Sequence, residues 1–207
     1  MNPWLDALIM DHGALRLFWT NLGTVMPGRA YRSNHPLPMT LRRLVRRHGI
    51  RSIVNLRGRD PRMGAYILSS AEARRLGLVQ LDLRMGAKTA PPVALIEQLA
   101  EELPRLPEPI LIHCKSGADR SGLVAAVWLL LQGRPPAEAA AQLSLRHGHI
   151  RSSDTGILDL FIARYAEAWP KPFLAWVRED YDPAALQAEF RGRRWANLLT
   201  NRILRRE

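Results

Sequence analysis

The feature that most constrains the fold is a repeated alternation of strand-length apolar runs with segments of helical periodicity. The segments "GRAYRS", "RSIVNLRG", "LVQLDLR" and "PEPILIHC" have the composition of strands, and "MTLRRLVRRHG", "AYILSSAEARRLG" and "VALIEQLAEEL" between them have that of helices. This alternation predicts an α/β fold with a mainly parallel central sheet flanked by helices. After Arg120 no strand is evident, and segments punctuated by Pro or Gly predict extra C-terminal helices.

The length of the chain bounds its domain organisation. With 207 residues it can bury one sizeable core. We expect a single domain over residues 1–207, with a core at 24–166 and helical extensions at 1–23 and 167–207. No apolar stretch approaches the roughly 18 residues of a membrane span, and the first residues lack the basic start of a signal peptide. The single cysteine excludes an internal disulfide and favours a reduced, cytoplasmic setting.

The last predicted strand runs directly into that cysteine, in the segment "HCKSGADRSG". Five residues separate Cys114 from Arg120, where the next helix is expected to begin. Ligand sites of parallel sheets lie beyond the carboxyl ends of the strands. A short loop at a helix N-terminus directs backbone N–H groups inward, which creates an anion site. The sequence therefore predicts a phosphate-binding loop made of Lys115, Ser116, Gly117, Ala118, Asp119 and Arg120.

The residue types in this loop suit phosphoryl transfer. A cysteine at a helix N-terminus and near an arginine has a lowered pKa and is a nucleophilic thiolate at neutral pH. The planar guanidinium of Arg120 can bind two phosphate oxygens at once. The competing interpretation is that Cys114 is a small buried hydrophobic residue that ends a core strand.

The pattern His-Cys-x5-Arg-Ser resembles the active-site loop of the cysteine-dependent protein tyrosine and dual-specificity phosphatases. The segments "PGRAYRSNHP" and "IRSIVNLRG" are also similar to compact bacterial members. The resemblance implies that Cys114 attacks phosphorus, that a cysteinyl-phosphate forms, and that water then releases phosphate. It implies no cofactor and no metal. It also implies that Ser121 donates a hydrogen bond to the sulfur and that His113 supports the loop.

The general acid has three candidates. The family uses an aspartate on a separate loop, and we favour Asp82, which lies thirty-two residues before Cys114 at the end of what we expect to be the neighbouring strand. Asp119 competes because it lies inside the loop, where some bacterial phosphatases of broad or lipid specificity carry an aspartate; its structural alternative is an ion pair with Arg120 or another basic side chain. Asp60 is the third candidate, although an acid beside Pro61 suits a simple turn.

Other polar residues have weaker signals. His147 and His149 suggest a metal site only faintly, because no Cys, Asp or Glu accompanies them at ligand spacing. Arg32 and Arg57 follow predicted strands and would either add positive potential at the mouth of the site or be solvated.

The chain is strongly basic, with 30 Lys and Arg against 19 Asp and Glu. This favours an anionic partner, although a general bias toward Arg explains scattered charges equally well. Residues 183–207 form a basic amphipathic segment, with Trp195, Leu198, Leu199 and Ile203 on one helical face. Such a helix packs on its own domain or lies on an anionic membrane surface. Trp4, Trp19, Trp169 and Trp176 also lie outside the expected core and would cover one another or face lipid.

These observations lead to one function and two alternatives. We expect a phosphomonoester hydrolase acting through a cysteinyl-phosphate, with phosphotyrosine in proteins as the leading substrate. A phosphoinositide or other lipid phosphate phosphatase at a membrane surface is the first alternative, favoured by Lys115, Asp119 and the net charge of +11. A phosphate-binding pseudophosphatase is the second. The expected partner is a phosphorylated protein or an anionic lipid, and no nucleic acid is expected. The expected location is cytoplasmic, with peripheral contact at the inner membrane surface as an alternative.

Overall fold

A five-stranded sheet lies at the centre of the molecule, in the strand order β1-β2-β5-β3-β4. The computed structural model describes residues 2–7 and 19–204, and beyond residue 193 it describes the backbone alone. The strands are β1 (Gly23–Met26), β2 (Ala30–Ser33), β3 (Ser52–Asn55), β4 (Val79–Asp82) and β5 (Ile110–His113). β1 pairs antiparallel with β2, and the other neighbouring pairs are parallel. The predicted mainly parallel α/β fold is confirmed.

The edge strand β1 is the element that sequence reasoning missed. It pairs with β2 alone, through a turn in which Gly28 has a φ of 71°. A four-residue strand paired on one side carries little apolar alternation, so no pattern distinguished it from a loop.

The helices follow the predicted order. They are α1 (Pro3–Leu5), α2 (Pro38–His48), α3 (Gly64–Arg75), α4 (Val93–Glu102), α5 (Asp119–Leu131), α6 (Pro136–Ala140), α7 (Ile157–Ala168), α8 (Phe173–Glu179) and α9 (Pro183–Leu204). The segment "PPAEAAAQLSLRHG" is not one helix: α6 ends at Ala140, and a 3-10 turn follows at Leu145–His147. Gly148, with a φ of 78°, ends this turn and directs the chain toward His149.

Helices cover both faces of the sheet because strand residues alternate between two apolar clusters. Ile53 and Leu111 face α2 and α3, while Val54 and Ile112 face the side that holds α4, α5 and α7. Every residue of β5 is buried, as the fully apolar run predicts. β5 therefore lies at the centre of the sheet and of the core.

The helix that follows β5 is buried nearly all round. Ser121 to Leu130 of α5 are buried without interruption, which explains why its sequence shows no polar face. A helix enclosed in this way cannot shift easily, because close packing on every side resists displacement. Its N-terminus, beginning at Asp119, is a fixed point on which a binding site can be built.

The C-terminal helices share the main core. Phe173, Trp176 and Leu186 belong to the same apolar cluster as Ile112, and Trp176 packs against Tyr165. Arg164 of α7 forms an ion pair with Glu189 of α9. One prediction was that the tryptophans outside the expected core cover one another. It is wrong for Trp4, Trp19 and Trp169, because each of these side chains is 40% exposed or more. Across the described residues, no helix combines the length and apolarity needed to cross a bilayer.

Candidate active site

The loop from Cys114 to Asp119 connects the central strand β5 to the buried helix α5. β5 lies between β2 and β3, so the loop emerges at the middle of the carboxyl edge of the sheet. Gly117 has a φ of 78°, and a Cβ there would come within 2.6 Å of the Asn34 nitrogen. Glycine is therefore required both for the curl of the loop and for its contact with the end of β2.

Cys114 lies at the floor of this loop, with its sulfur directed at two donors. The N–H of Gly117 donates to Sγ at 3.2 Å, and the Ser121 hydroxyl lies 3.6 Å from it. Burial by itself raises the pKa of Cys114, but the positive charge of Arg120 and the hydrogen bonds from Ser121 and Gly117 outweigh it, so the pKa lies below its ordinary value. The geometry suits a thiolate nucleophile.

The carbonyl groups of four successive loop residues accept hydrogen bonds from outside the loop. The Lys115 oxygen accepts from the N–H of His35 at 3.3 Å, and the Ser116 oxygen accepts from the Asn21 side chain at 2.9 Å. The oxygens of Gly117 and Ala118 accept from Arg32. Because the N–H of a trans peptide points opposite to its C=O, these contacts turn the following amides toward the inside of the loop.

Arg32 is the structural centre of this arrangement. Its side chain is fully buried, and Nη2 donates to the oxygens of Gly117 and Ala118 at 2.8 and 2.6 Å. Its Nη1 donates to the Gln142 oxygen. Burial lowers the pKa of Arg32 to about 10, while the negative charges of Cys114 and Asp119 act in the opposite direction. Both expectations for Arg32, a charge at the mouth of the site and a solvated arginine, are wrong.

The remaining predicted loop residues lie around the same cradle. Arg120 is half-buried, and its Nη1 donates to the Leu56 oxygen at 3.2 Å, which places it against the end of β3. Ser121 is buried, whereas Lys115 and Ser116 are exposed. The ring of His113 packs edge-on against His35, with centroids 4.7 Å apart. His35 is a neighbour that sequence reasoning did not single out.

Asp82 lies at the end of β4, and β3 separates that strand from β5. The expectation that Asp82 ends the strand next to Cys114 is therefore wrong. The register pairs Asp82 with Asn55 and Asn55 with His113, which places the Asp82 backbone roughly 10 Å from that of His113.

The carboxylate of Asp82 accepts three hydrogen bonds from side chains of the protein. Asn55 donates at 2.8 Å and Gln80 at 2.9 Å to Oδ1, and Tyr66 donates at 2.8 Å to Oδ2. Burial and the contact with Asp82 both raise the pKa of Tyr66, so its phenol remains a donor. These contacts are typical of a carboxylate that joins β3, β4 and α3.

Asp119 lies at the first position of α5 and contacts a histidine from a distant part of the chain. Its Oδ1 lies 2.7 Å from Nδ1 of His149, and Nε2 of His149 lies 2.6 Å from Oδ2 of Asp159 in α7. Burial by itself raises the pKa of Asp119. The hydrogen bonds from His149 and Thr155 have a larger effect in the opposite direction, so the pKa lies below its ordinary value. The fold thus brings two acids to His149 that its sequence spacing did not indicate.

The remaining candidates each contact another residue of the protein: Asp60, His147 and Arg57. The Asp60 carboxylate accepts from the Arg62 backbone N–H at 3.0 Å, a turn contact that lowers the pKa of Asp60. Nδ1 of His147 lies 3.3 Å from Oδ1 of Asn21, and burial together with nearby arginines lowers the pKa of His147 to about 4. Arg57 lies 3.3 Å from the His35 ring. Within the described ranges no group of three or more His, Cys, Asp or Glu is arranged to hold a metal ion.

The carboxyl edge of the sheet carries several exposed basic residues. Arg59 follows β3, Arg84 and Lys88 follow β4, and Lys115 lies in the loop after β5. Lys88 forms an ion pair with Asp154 at 3.3 Å, which brings the segment after β4 close to the residues that surround Asp119. The rim of the site is therefore positively charged, as the binding of an anion requires.

Cys114 lies at the floor of a loop between a central parallel strand and a buried helix, and that helix carries an arginine in its first turn. This arrangement is typical of cysteine-dependent phosphatases. A sequence family described as "DSP-PTPase phosphatase fused to NAD+ Kinase" matches residues 35–157. This is more than half of the chain, and the chain belongs to that family. The protein is thus a cysteine-dependent phosphatase of the protein tyrosine and dual-specificity type.

Solved structures of this class share the fold. A complex of P. aeruginosa TpbA with pTyr is 20% identical, with a TM-score of 0.55, covering 77% of this chain and 88% of that one. The catalytic core of the PP-IP phosphatase SIW14 from S. cerevisiae is 22% identical, with a TM-score of 0.55, covering 72% and 93%. PTPMT1 in complex with PI(5)P is 21% identical, with a TM-score of 0.50, covering 71% and 98%. No curated protein matches the chain.

Proposed function

We propose that the chain hydrolyses phosphomonoesters at Cys114, with phosphotyrosine in proteins as the leading substrate. The observation that carries this proposal is the loop geometry: a sulfur with a lowered pKa, contacted by Gly117 and Ser121, inside a loop whose carbonyls bond outward. The inward amides and Arg120 bind the three terminal phosphate oxygens. They also stabilise the charge that develops on those oxygens in the transition state.

The reaction proceeds in two steps. Sγ of Cys114 bonds to phosphorus while the bond to the leaving oxygen breaks, and that oxygen receives a proton. Water then attacks phosphorus, the bond to sulfur breaks, and phosphate leaves. Ser121, 3.6 Å from the sulfur, stabilises the thiolate as it departs in the second step. Lys115 and Ser116 lie at the rim of the phosphate site, and His113 supports the loop from below.

We assign the proton transfer to the leaving oxygen to Asp119. Asp119 lies in the phosphate loop itself, directly before Arg120. The Asp82 carboxylate, in contrast, is occupied by donors from Asn55, Gln80 and Tyr66. These contacts direct the Asp82 carboxylate toward β3, β4 and α3, whereas Asp119 belongs to the phosphate loop itself.

Substitution of the candidate residues tests this assignment. Cys114→Ser is expected to abolish turnover. Asp119→Asn is expected to lower kcat by about 100-fold or more on phenyl phosphate and far less on 2,4-dinitrophenyl phosphate, whose leaving group needs no proton. Asp82→Asn is expected to change both rates by the same small factor. A selective loss in Asp82→Asn, with none in Asp119→Asn, would reverse the assignment.

A second candidate is an anionic inositol or lipid phosphate substrate, favoured by the exposed basic rim of Arg59, Arg84 and Lys115. SIW14 is a PP-IP phosphatase, and PTPMT1 binds PI(5)P in its complex. A panel of phosphotyrosine peptide, phosphothreonine peptide, phosphoinositides and phosphatidylglycerophosphate separates these substrates by kcat/KM. The Arg84→Gln variant is expected to weaken only polyanionic substrates.

Peripheral membrane contact through residues 183–207 belongs to this second candidate. The first turns of α9 pack on the core through Leu186 and the Glu189 ion pair with Arg164. The apolar face predicted around Trp195 lies outside the described side chains. Co-sedimentation with anionic and neutral liposomes, with and without residues 194–207, tests the contact without removing the packed part of the helix.

A further inference from the structure

We infer that His149, held by Asp159, is a positioning residue that stores the proton which Asp119 passes to the leaving group. The inference rests on the proposed function. It goes beyond the resemblance of the loop, because His149 and Asp159 lie far from the Cys-to-Arg motif in sequence. They reach the loop through the fold alone.

The hydrogen-bond geometry determines where the proton lies. Nδ1 of His149 faces Oδ1 of Asp119 at 2.7 Å, and Nε2 faces Oδ2 of Asp159 at 2.6 Å. Ionised carboxylates only accept hydrogen bonds, so a ring between two of them must carry a proton on both nitrogens. The side chain of His149 is 1% exposed. The three residues therefore form a chain in which a buried ring with one positive charge lies between two partly buried negative charges.

The charged groups around this chain come from several elements. Asp119 begins α5 and Asp159 lies in α7, while Arg151 and Thr155 lie in the segment between His149 and α7. Arg151 donates to Oδ1 of Asp159 at 3.1 Å, and Thr155 donates to Asp119. Buried Arg32 interacts electrostatically with Asp119. The two acids raise the pKa of His149 to about 9 against the opposing effect of burial, so the ring is charged at neutral pH.

This arrangement resolves a difficulty in the role of Asp119. A general acid must deliver a proton, yet the pKa of Asp119 is lowered, so at neutral pH the carboxylate is ionised. The nearest proton is the one on Nδ1 of His149. Asp159 holds the other ring proton at Nε2, which fixes the neutral tautomer that remains when Nδ1 gives up its proton.

The proton movements balance over the two steps. In the first step the leaving oxygen takes a proton from Asp119 as its bond to phosphorus breaks, and Asp119 takes the Nδ1 proton of His149. In the second step the attacking water gives a proton to Asp119, and Asp119 returns it to Nδ1 of His149. The ring is again doubly protonated when phosphate leaves.

The test compares His149→Gln with the wild type on two substrates of different leaving-group basicity. On phenyl phosphate we expect kcat to fall by about 10-fold or more, within the range that general acids contribute. On 2,4-dinitrophenyl phosphate we expect less than about 3-fold, because that phenolate departs unprotonated. Asp159→Asn should show the same selectivity, because a neutral ring cannot give up its only proton. Arg134→Gln, which removes an exposed ion pair with Glu138 beyond the C-terminal end of α5, is the control and should behave as the wild type.

The pH profile of the unaltered protein gives a second, independent measurement. With phenyl phosphate, kcat should fall as the pH rises past about 9, where His149 loses its proton, and this limb should be absent with 2,4-dinitrophenyl phosphate. Three outcomes would overturn the inference. They are an equal loss of kcat on both substrates in the variants, no loss of kcat on either substrate, and the same alkaline limb for both substrates. Should the variants fail to fold, this profile decides alone.

Failure of the proposed function is separately visible. Turnover by Cys114→Ser in the same assays would exclude the cysteinyl-phosphate route whatever His149 does. Suppose instead that Cys114→Ser is inactive and that His149→Gln affects both substrates equally. The proposed function would then stand, and only the role of His149 as a proton store would be excluded.

Discussion

At the scale of single residues, the loop depends on a side chain outside the recognisable motif. Arg32 lies in β2, eighty-two residues before Cys114, yet its guanidinium holds the carbonyl groups that orient the loop amides. A buried arginine is tolerated because its two terminal nitrogens donate to carbonyl oxygens and because the Cys114 sulfur and Asp119 lie nearby. The conformation of the loop around Cys114 therefore depends on a residue outside the motif.

We expect Arg32→Met to lower both kcat and the free energy of unfolding. The change leaves the oxygens of Gly117 and Gln142 without their buried donor, while the Ala118 oxygen keeps the N–H of Gly122. Each unsatisfied buried group costs about 1–3 kcal/mol, so a loss of at least about 2 kcal/mol is expected. Urea titration measures the stability, and turnover of an aryl phosphate measures kcat. Arg43→Met, on the exposed side of α2, is the control and should change neither. An active, fully stable Arg32→Met protein would contradict this account of the loop.

At the scale of elements, the phosphate loop is held by two rigid elements, β5 and α5, and by one close backbone contact. β5 is paired on both sides, and α5 is buried from Ser121 to Leu130, so both ends of the loop are fixed. The third constraint is the approach of Gly117 to the start of the segment after β2, where Asn34 lies. The loop is therefore held in one conformation before any phosphate arrives, which saves the cost of ordering it on binding.

Gly117→Ala is expected to lower stability and kcat by more than the left-handed backbone conformation of Gly117 alone would cause. Gly117 and Gly133 have nearly the same φ, 78° and 70°, but a Cβ at Gly133 meets nothing within 4 Å. Gly133→Ala therefore measures the cost of the left-handed conformation, about 1–2 kcal/mol. The excess loss of stability and of kcat in Gly117→Ala measures the displacement of the loop from Asn34. Equal effects of the two substitutions would show that the contact has no role.

At the scale of the whole molecule, electrostatic links join parts of the chain that are far apart in sequence. His149 connects the start of α5 to α7, and Arg164 connects α7 to α9. Leu186 of α9 lies in the same apolar cluster as the sheet. The organisation as a single domain over 1–207, with a core at 24–166 and extensions at 1–23 and 167–207, remains a prediction.

The charge of His149 should appear in the pH dependence of stability. Its pKa is raised from 6.5 in the unfolded chain to about 9 in the folded one, so the stabilisation is complete below pH 6.5 and is lost as the pH rises through 9. Up to about 3 kcal/mol of unfolding free energy is involved. Cys114, whose pKa is lowered, has the opposite trend, with stability lost as the pH falls. The comparison is therefore made in Cys114→Ser, with and without His149→Gln, by urea unfolding between pH 6 and 10. Parallel curves would contradict the assignment of charge.

The order of strands β2 to β5 with the helices between them, and the position of the loop from Cys114 to Arg120, were predictable from the sequence. Their signals are local: apolar runs of strand length, helical spacing, and a cysteine and an arginine separated by five residues in a strand–loop–helix context. The family membership confirms the class of enzyme that this loop predicted. The roles of Cys114, Arg120, Ser121 and the acids remain proposals for the experiments above.

The amino-acid sequence by itself determined what is short-range in this protein: the periodicity of each element, the glycine that permits the loop to curl, and the thiol with its arginine. Tertiary structure alone decided which distant side chains meet. It placed β3 between Asp82 and the loop, buried Arg32 beneath Gly117 and Ala118, and enclosed His149 between Asp119 and Asp159. The physical reason is that burial and pairing depend on the packing of the sheet and its helices, which no local pattern encodes.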